Sequence, residues 1–274
     1  MRIVRAEDEA EYGVALGSIL VSLLEPEPGQ GVAFHRWYER DHFYAGCMVG
    51  PWFFAGRRFV ATRDLKALRY PERSSTIADS ALGSYLALYW MHRDHHEAAE
   101  RWAVDKVLWL GENGRMEGNG KTVHATVHAS FYRYHWAACR DEDGVPPELG
   151  LDHPFAGAVM LMSDRPEGVS DEARDAWLLE EHLPALLPGS AAALCLSLNP
   201  LELPEESPAY APRPEGFERR SLQIYFLDED PRACWETLFA QQGASFAKAG
   251  MGEVSFAAGF IPTIPGSDRY ADEI

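Results

Sequence analysis

Residues 37–46 read WYERDHFYAG, and residues 177–186 read WLLEEHLPAL. In both stretches a tryptophan precedes a histidine by five residues, and an acidic residue comes directly before that histidine. The two tryptophans are 140 residues apart, and so are the two histidines. Self-similarity at a fixed offset indicates that the chain is built from two related units.

Three further pairs of segments match in the same order along the chain. They are 18–29 with 158–168, 85–94 with 221–230, and 127–135 with 253–261. Alternating apolar and polar residues predict strands, and helical spacing predicts the helices between them. Each unit therefore reads strand, helix, strand, strand, helix, strand. The sequence predicts an α+β fold of two ferredoxin-like βαββαβ repeats.

The predicted elements have the following bounds. In the first unit, strands lie near 16–24, 51–61, 85–92 and 122–134, with helices near 31–46 and 94–110. In the second unit, strands lie near 157–163, 191–198, 222–228 and 252–261, with helices near 170–187 and 231–249. The predicted units are 1–136 and 155–274, the second with a C-terminal tail. The linker 137–154 is rich in acids, proline and glycine.

Composition excludes several classes of function. The 274 residues carry a net charge of −17, which repels nucleic-acid phosphates and anionic membranes. The first residues contain no apolar signal core, and no apolar run is long enough to cross a bilayer. The four cysteines form no C-x-x-C pair. We expect a globular cytoplasmic protein with reduced thiols.

Residues 34–61, FHRWYERDHFYAGCMVGPWFFAGRRFVA, resemble the EthD-like branch of the dimeric α/β-barrel superfamily. The resemblance lies in an aromatic helix that ends in acid–histidine, a short loop, and a strand of the form GxRRxxA. The second unit keeps Trp177, Glu181 and His182 but has no arginine pair.

This resemblance implies that the two units pair into a pseudo-dimeric barrel within one chain. A ligand cavity would lie inside the barrel or between the sheet and the helices. The superfamily contains cofactor-free isomerases, cyclases, decarboxylases and oxygenases, and also haem proteins. The fold therefore does not choose the chemistry.

The stretch TVHATVHASFY, residues 122–132, carries hydroxyls and imidazoles at every second position. A solvent face usually carries lysine and glutamate, and a dry interior carries leucine and valine. We expect the polar set to face the barrel interior as a ligand pocket, and the apolar set to face the helices. A hydrogen-bonded polar interface without a ligand is the alternative. The polar set is Thr122, His124, Thr126, His128, Ser130 and Tyr132, and the apolar set is Val123, Ala125, Val127, Ala129 and Phe131.

The first helix adds a second polar stripe. His35, Tyr38 and His42 share one face, because residues three, four and seven apart meet on a helix. Trp37 precedes His42 by five residues, so we expect it to face elsewhere and serve in packing.

These groups suit proton transfer next to a carbonyl. We predict that His124 and His128 transfer protons, that Tyr132 donates a hydrogen bond to the carbonyl, and that His42 is an acid or base near the pocket mouth. Lyase, isomerase and cyclase reactions on a small aromatic or polyketide-like substrate share that need. The predicted substrate-binding residues are His35, Tyr38, Trp52, Arg57, Tyr85 and Tyr89, with Arg57 or its neighbour Arg58 available for a carboxylate.

No cofactor and no metal are predicted. His124 and His128, four apart on a strand, are roughly 13 Å apart and cannot share one zinc ion. His92, His95 and His96 begin a helix beside acids, and a metal there is a weaker hypothesis. The sequence leaves two more functions open: a haem-dependent enzyme using one of the ten histidines, and a non-catalytic binding protein for a hydrophobic metabolite. The expected partner is a small molecule, and a homodimer is a further possibility.

Overall fold

A closed antiparallel barrel dominates the computed structural model, which describes residues 1–10, 13–116, 124–202 and 216–274. Within those ranges there are nine strands, β1 to β9, and eight of them close the barrel in the order β5-β2-β4-β3-β9-β6-β8-β7 and back to β5. The bounds are β1 Arg2–Arg5, β2 Leu16–Pro26, β3 Phe53–Val60, β4 Tyr85–His92, β5 His124–Cys139, β6 Gly157–Asp164, β7 Ala192–Pro200, β8 Arg220–Leu227 and β9 Glu253–Pro262. The predicted barrel is confirmed.

Two groups of four strands make up the barrel. In the first group the strands lie side by side in the order β5-β2-β4-β3, and in the second group in the order β9-β6-β8-β7. With the strands of each group counted along the chain, both orders are fourth, first, third, second. One junction is short and pairs Phe59 and Val60 of β3 with Pro262 and Ile261 of β9. The other junction pairs β5 with β7 along most of the length of β7. The short strand β1 extends the sheet beside the end of β5.

Helices cover the outside of both groups. They are α1 Gly31–Trp37, α2 Arg63–Lys66, α3 His96–Glu112, α4 Asp171–Trp177, α5 Leu183–Leu186, α6 Pro231–Leu238 and α7 Gln242–Ala249. In the described parts of the chain, three π-helical turns interrupt them: π1 Tyr38–His42, π2 Tyr44–Met48 and π3 Leu178–His182. Short 3₁₀ turns occur at Pro147–Leu149 and Phe217–Arg219. The predicted helix near 231–249 is two helices, and the one near 31–46 changes from α to π geometry at Tyr38.

The barrel interior is filled with large side chains. Trp90 contacts Phe226 edge-on, with ring centroids 6.3 Å apart, and Phe155 stacks on Phe226 at 5.3 Å. The Trp90 indole N–H donates to the carbonyl of Pro147 at 2.9 Å. The segment predicted as a linker therefore packs against the barrel, and β5 runs three residues into that segment, to Cys139.

The π-helical turns bring each tryptophan onto its histidine. A π-helix bonds residue i to residue i+5, so residues five apart lie one above the other. Trp37 stacks on His42 with centroids 4.7 Å apart and planes 23° apart, and Trp177 meets His182 at 4.7 Å and 32°. The expectation that Trp37 faces away from His42 is wrong, because it assumed α-helical geometry at this point.

Gly56 lets the π-helical segment lie directly on β3. A methyl group at this position would lie 2.5 Å from the sulfur of Met48 and 2.8 Å from the ring of Phe43. Any side chain would push the segment outward. The glycine of the GxRRxxA strand is thus explained by packing rather than by chemistry.

Candidate active site

A β-bulge divides the histidine-rich strand β5 into two faces. His128 pairs with Leu23 of β2, and Thr126 pairs with the next residue, Leu24, so Val127 is an extra residue in β5. One extra residue moves every later side chain to the opposite face of the sheet. The expectation that His124 and His128 share one face is therefore wrong. Thr122 and Val123 lie outside the described residues.

A pocket lies between the first four-stranded group and the helices α3 and π1. It has an open volume of about 120 Å³, close to that of an apolar cavity that holds one benzene ring (about 150 Å³). Its walls are mainly apolar, with a few polar groups. The lining residues are Leu20, Ser22, Leu24, Tyr38, His42, Gly46, Cys47, Tyr89, Ala103, Val104, Val107, Met116, His124, Thr126, Ala129 and Phe131. The cavity is thus on the helix side of the sheet, one of the two places that the family resemblance implied.

Two imidazoles of the pocket lie against the same indole ring. Trp37 stacks on His42 and also on His124, with a centroid distance of 5.8 Å to the second ring. Burial, and secondly the neighbouring His124, lower the pKa of His42 to about 4. Burial alone lowers the pKa of His124 to about 4. Both rings are therefore neutral at pH 7 and able to accept a proton. Among the described residues, the Nδ1 atom of His42 has no hydrogen-bond partner.

A pair of phenols forms another wall of the pocket. The hydroxyls of Tyr38 and Tyr89 are 2.9 Å apart, and both rings are buried. Burial raises the pKa of both phenols well above the ordinary value. Each stays protonated at neutral pH, and one of the two has a hydroxyl hydrogen to donate to an oxygen atom in the pocket.

Trp37 is held in place from the loop after α3. Its indole N–H donates to the carbonyl of Arg115 at 3.0 Å, and the Arg115 guanidinium is paired with Asp41. Met116, the next residue, lines the pocket. The indole that contacts both imidazoles is thus fixed at the edge of the pocket.

Two predicted substrate-binding residues lie one layer behind the pocket. The Nε2 atom of His35 is 2.8 Å from the carbonyl oxygen of Ser267. Tyr85 lies 5.8 Å from His35, ring to ring, and burial raises its pKa to about 12. Both contact Arg58 rather than the open volume.

Two other predicted substrate-binding residues do not line the pocket. Trp52 stacks on His95 with centroids 3.9 Å apart. Arg57 points to the opposite face of β3 and donates to the carbonyls of Leu151 and His153. Its neighbour Arg58 is the arginine that faces the helices.

His128 and Tyr132 form a separate cluster on the barrel side of β5. The Tyr132 hydroxyl is 2.9 Å from Nε2 of His128, and both residues are buried. Burial, and secondly the charge of Arg220, lower the pKa of His128 to about 3. Arg220 is itself paired with Asp164 at 2.9 Å. The structure therefore brings His42 and His124 together and keeps His128 and Tyr132 apart from them.

Sequence reasoning missed the residues that α3 and π2 contribute. Ala103, Val104 and Val107 share one face of α3 at helical spacing, and Cys47 belongs to π2. That spacing predicts a buried helix face but does not distinguish a pocket wall from ordinary core. Burial raises the pKa of the Cys47 thiol, so it is a poor nucleophile.

Comparison with known proteins gives the fold. No sequence-family model matches the chain, and no curated protein matches it by sequence. Among solved structures, an anthrone oxidase-like protein matches with a TM-score of 0.52 and 12% identity over 97% of this chain and 98% of that one. A chlorite dismutase-like protein matches at 0.49 and 11%, covering 95% and 100%. A monooxygenase-like protein from Fusobacterium nucleatum matches at 0.46 and 8%, covering 90% and 93%.

The first of these likenesses defines the fold class of the protein. The first of them, with the closed eight-stranded barrel, shows that the chain has the dimeric α/β-barrel fold. The superfamily resemblance of residues 34–61 is thereby confirmed at the level of the fold. The EthD-like branch stays a prediction.

The described residues contain neither a metal-binding cluster nor a membrane-spanning helix. In that part of the chain no three histidine, cysteine or acidic side chains come together as a metal site. The helices found there are too short or too polar for a transmembrane span. Of the three histidines near the start of α3, His95 stacks on Trp52, and His96 contacts the Ser18 hydroxyl at 2.9 Å.

Narrowing the pocket by one methyl group should weaken ligand binding without harming the fold. A Cβ at Gly46 would lie 3.6 Å from Cε1 of His42, an ordinary contact, and alanine favours a helix more than glycine does. We expect Gly46→Ala to weaken binding of the single-ring probe 4-nitrophenol by about tenfold or more, with an unchanged or higher unfolding midpoint. Calorimetric titration measures this. Gly243→Ala, in α7, is the matched control, and equal affinities for the two variants would place the ligand elsewhere.

Proposed function

We propose that this protein is a cofactor-independent acid–base enzyme. Its substrate is a small aromatic or polyketide-like carbonyl compound that binds between the first sheet and α3. The observation that supports this most is the pair of neutral imidazoles, His42 and His124, facing an apolar cavity that is also lined by the hydrogen-bonded phenols Tyr38 and Tyr89.

The chemistry of these groups is proton transfer at the carbon next to a carbonyl. A neutral imidazole takes the proton from carbon, and the electron pair of that C–H bond moves to the carbonyl oxygen. A phenol hydroxyl donates a hydrogen bond to the oxyanion. The pKa of the imidazole rises as negative charge develops beside it, so a base that is neutral in the empty site becomes strong enough in the transition state.

The fate of that proton decides the reaction. Return of the proton to a different carbon is an isomerisation, and loss of a group from the neighbouring carbon is an elimination. Attack of the enolate carbon on a second carbonyl is a cyclisation. The pocket supports each of these three reactions.

This proposal changes two of the predicted roles. His42 and His124 are the proton-transfer groups, and Tyr38 or Tyr89 replaces Tyr132 as the donor to the carbonyl. His128 is assigned to the barrel-side cluster, because the bulge at Val127 separates it from the cavity.

We further propose that the chain arose by duplication of one ferredoxin-like unit. Both groups of strands have the same internal order, and both carry the tryptophan–histidine stack on a π-helical turn. The second unit has Leu178 where the first has Tyr38, so only the first has the phenol pair. This difference between the units agrees with the proposal of an active site in the first unit alone.

Oxidation by O₂ is a second candidate for the same pocket. The carbanion made by His42 or His124 is electron-rich and can be oxidised directly by O₂. The solved structure that resembles the chain at a TM-score of 0.52 is described as anthrone oxidase-like. That description is the reason to consider oxidation here. A likeness at 12% identity shows the fold and not the reaction.

Haem does not fit the described pocket. Haem has four pyrrole rings, whereas the cavity holds about one ring. His42 and His124 face this small volume. We therefore propose no haem in the pocket at His42 and His124. A cytoplasmic location and homodimer formation remain parts of the proposal.

Deuterium exchange tests the proposal without knowledge of the natural substrate. Phenylacetone has one ring and a methylene activated by both the ring and the carbonyl. With protein in D₂O, we expect its methylene proton signal to decay faster than in buffer, as followed by NMR. An oxygen electrode on the same sample reports the oxidase candidate. Binding of phenylacetone with no exchange and no oxygen uptake would favour the non-catalytic binding protein.

A further inference from the structure

Arg58 is a buried cation without a carboxylate partner. Its side chain is 5% exposed, and among the described residues no aspartate or glutamate oxygen lies within ion-pair distance of it. One guanidinium nitrogen, NH1, is 3.3 Å from the carbonyl and 3.5 Å from Nδ1 of His35. The other, NH2, has no partner in the described part of the chain. Such a charge is costly to bury unless something compensates it.

Aromatic faces supply part of that compensation. The guanidinium carbon lies 4.6 Å from the centre of the Tyr38 ring and 5.2 Å from that of Tyr85. The Tyr85 hydroxyl is also buried without a partner among the described residues. Glu39 follows Tyr38 in π1. One of its carboxylate oxygens is 3.5 Å from Nε2 of His35, and the other accepts a hydrogen bond from the Gly266 N–H. The positive charge therefore rests mainly against aromatic rings, and Glu39 attracts it without forming an ion pair.

The position of this charge relates it to the pocket. The Arg58 guanidinium contacts the face of the Tyr38 ring, and the Tyr38 hydroxyl is hydrogen-bonded to that of Tyr89. Both tyrosines line the pocket. An oxyanion at these hydroxyls would place a negative charge at the edge of the ring whose face contacts the Arg58 guanidinium. The attraction between them is weakly screened, because the intervening side chains are buried.

From this arrangement we infer that Arg58 is a positioning residue that acts through Tyr38 and Tyr89 to stabilise a substrate oxyanion, so that the pocket selects compounds that ionise to a phenolate or an enolate. This inference rests on the proposed function and specifies its substrate class. The adjacent Arg57 has no such role, because it faces the barrel and is bonded to main-chain carbonyls.

The test is a spectroscopic titration of 4-nitrophenol, whose phenolate absorbs at longer wavelength than the neutral phenol. We expect wild-type protein to bind the phenolate more tightly, so the pKa of the bound probe lies below that of the free probe. Arg58→Met should lose about tenfold of that preference, which raises the pKa of the bound probe by about one unit. Arg58→Lys should recover part of it, and Arg57→Met should titrate as wild type.

Three outcomes would overturn the inference. The first is a bound probe in wild-type protein that ionises no more readily than the free one, a result that needs no variant to fold. The second is a folded Arg58→Met protein that titrates as wild type. The third is an equal shift in Arg57→Met. Because the titration involves no turnover, failure of deuterium exchange with a normal titration would reject the enzyme proposal alone.

Discussion

Replacement of His42 by glutamine is expected to slow deuterium exchange into phenylacetone by about 10² to 10⁴-fold. Glutamine retains much of the size and polarity of histidine but cannot take up a proton. We expect a similar loss for His124→Gln if the two imidazoles work as base and acid. Exchange rates by NMR, at saturating and at low phenylacetone, separate the loss in the chemical step from a loss in binding.

The matched control is His128→Gln. This histidine is on the same strand as His124, but it is buried and faces the barrel with Tyr132. We expect its exchange rate to stay within about twofold of wild type, because a group outside the cavity cannot reach the substrate proton. Loss of exchange in His128→Gln with normal exchange in His42→Gln would move the active site into the barrel.

Acid should destabilise this protein steeply between pH 6.5 and about 4. His42, His124 and His128 have an ordinary pKa near 6.5 when unfolded, and burial lowers it to about 4, 4 and 3 in the fold. Below pH 6.5 the unfolded chain therefore binds protons that the folded chain does not. The free energy of unfolding then falls by roughly 4 kcal/mol per pH unit for three such groups. Above pH 6.5 these groups contribute no pH dependence.

Denaturant unfolding at a series of pH values measures this slope. Among the described residues His135 acts in the opposite direction. A hydrogen bond to Asp175 raises its pKa, so the folded protein binds this proton more readily than the unfolded chain does. His128 has the most strongly lowered pKa of the three. Replacing it by glutamine should reduce the slope of the unfolding free energy against pH by the contribution of about one proton. A free energy of unfolding that is constant from pH 6.5 to 5 would contradict the neutral state of these imidazoles in the folded protein.

The sequence predicted the barrel because its signals are local and repeated. Alternation of apolar residues marks each strand, and the matching order of segments in the two halves restricts how the strands pair. Strand bounds agree to within a few residues, as in β4, predicted at 85–92 and found at Tyr85–His92. The same alternation misled us in β5, because the extra residue Val127 is set by pairing with β2. Nothing within the strand itself indicates that register.

Some residues of the cavity wall were predicted for the same kind of reason. His42 and Tyr38 follow from helical spacing, and both line the cavity. The choice between Arg57 and Arg58 depends on which face of β3 the helices cover, and an isolated strand pattern does not show this. The stack of Trp37 on His42 needed π-helical geometry, which a pattern of spacings does not separate from α-helix.

A crystal structure of the protein with bound 4-nitrophenol tests the central claim most directly, since that claim concerns the face of the sheet that holds the site. We predict the ring between His42 and Phe131, with its phenolate oxygen at the hydroxyls of Tyr38 and Tyr89. Density for the probe beside His128 and Tyr132, inside the barrel, would contradict the assignment.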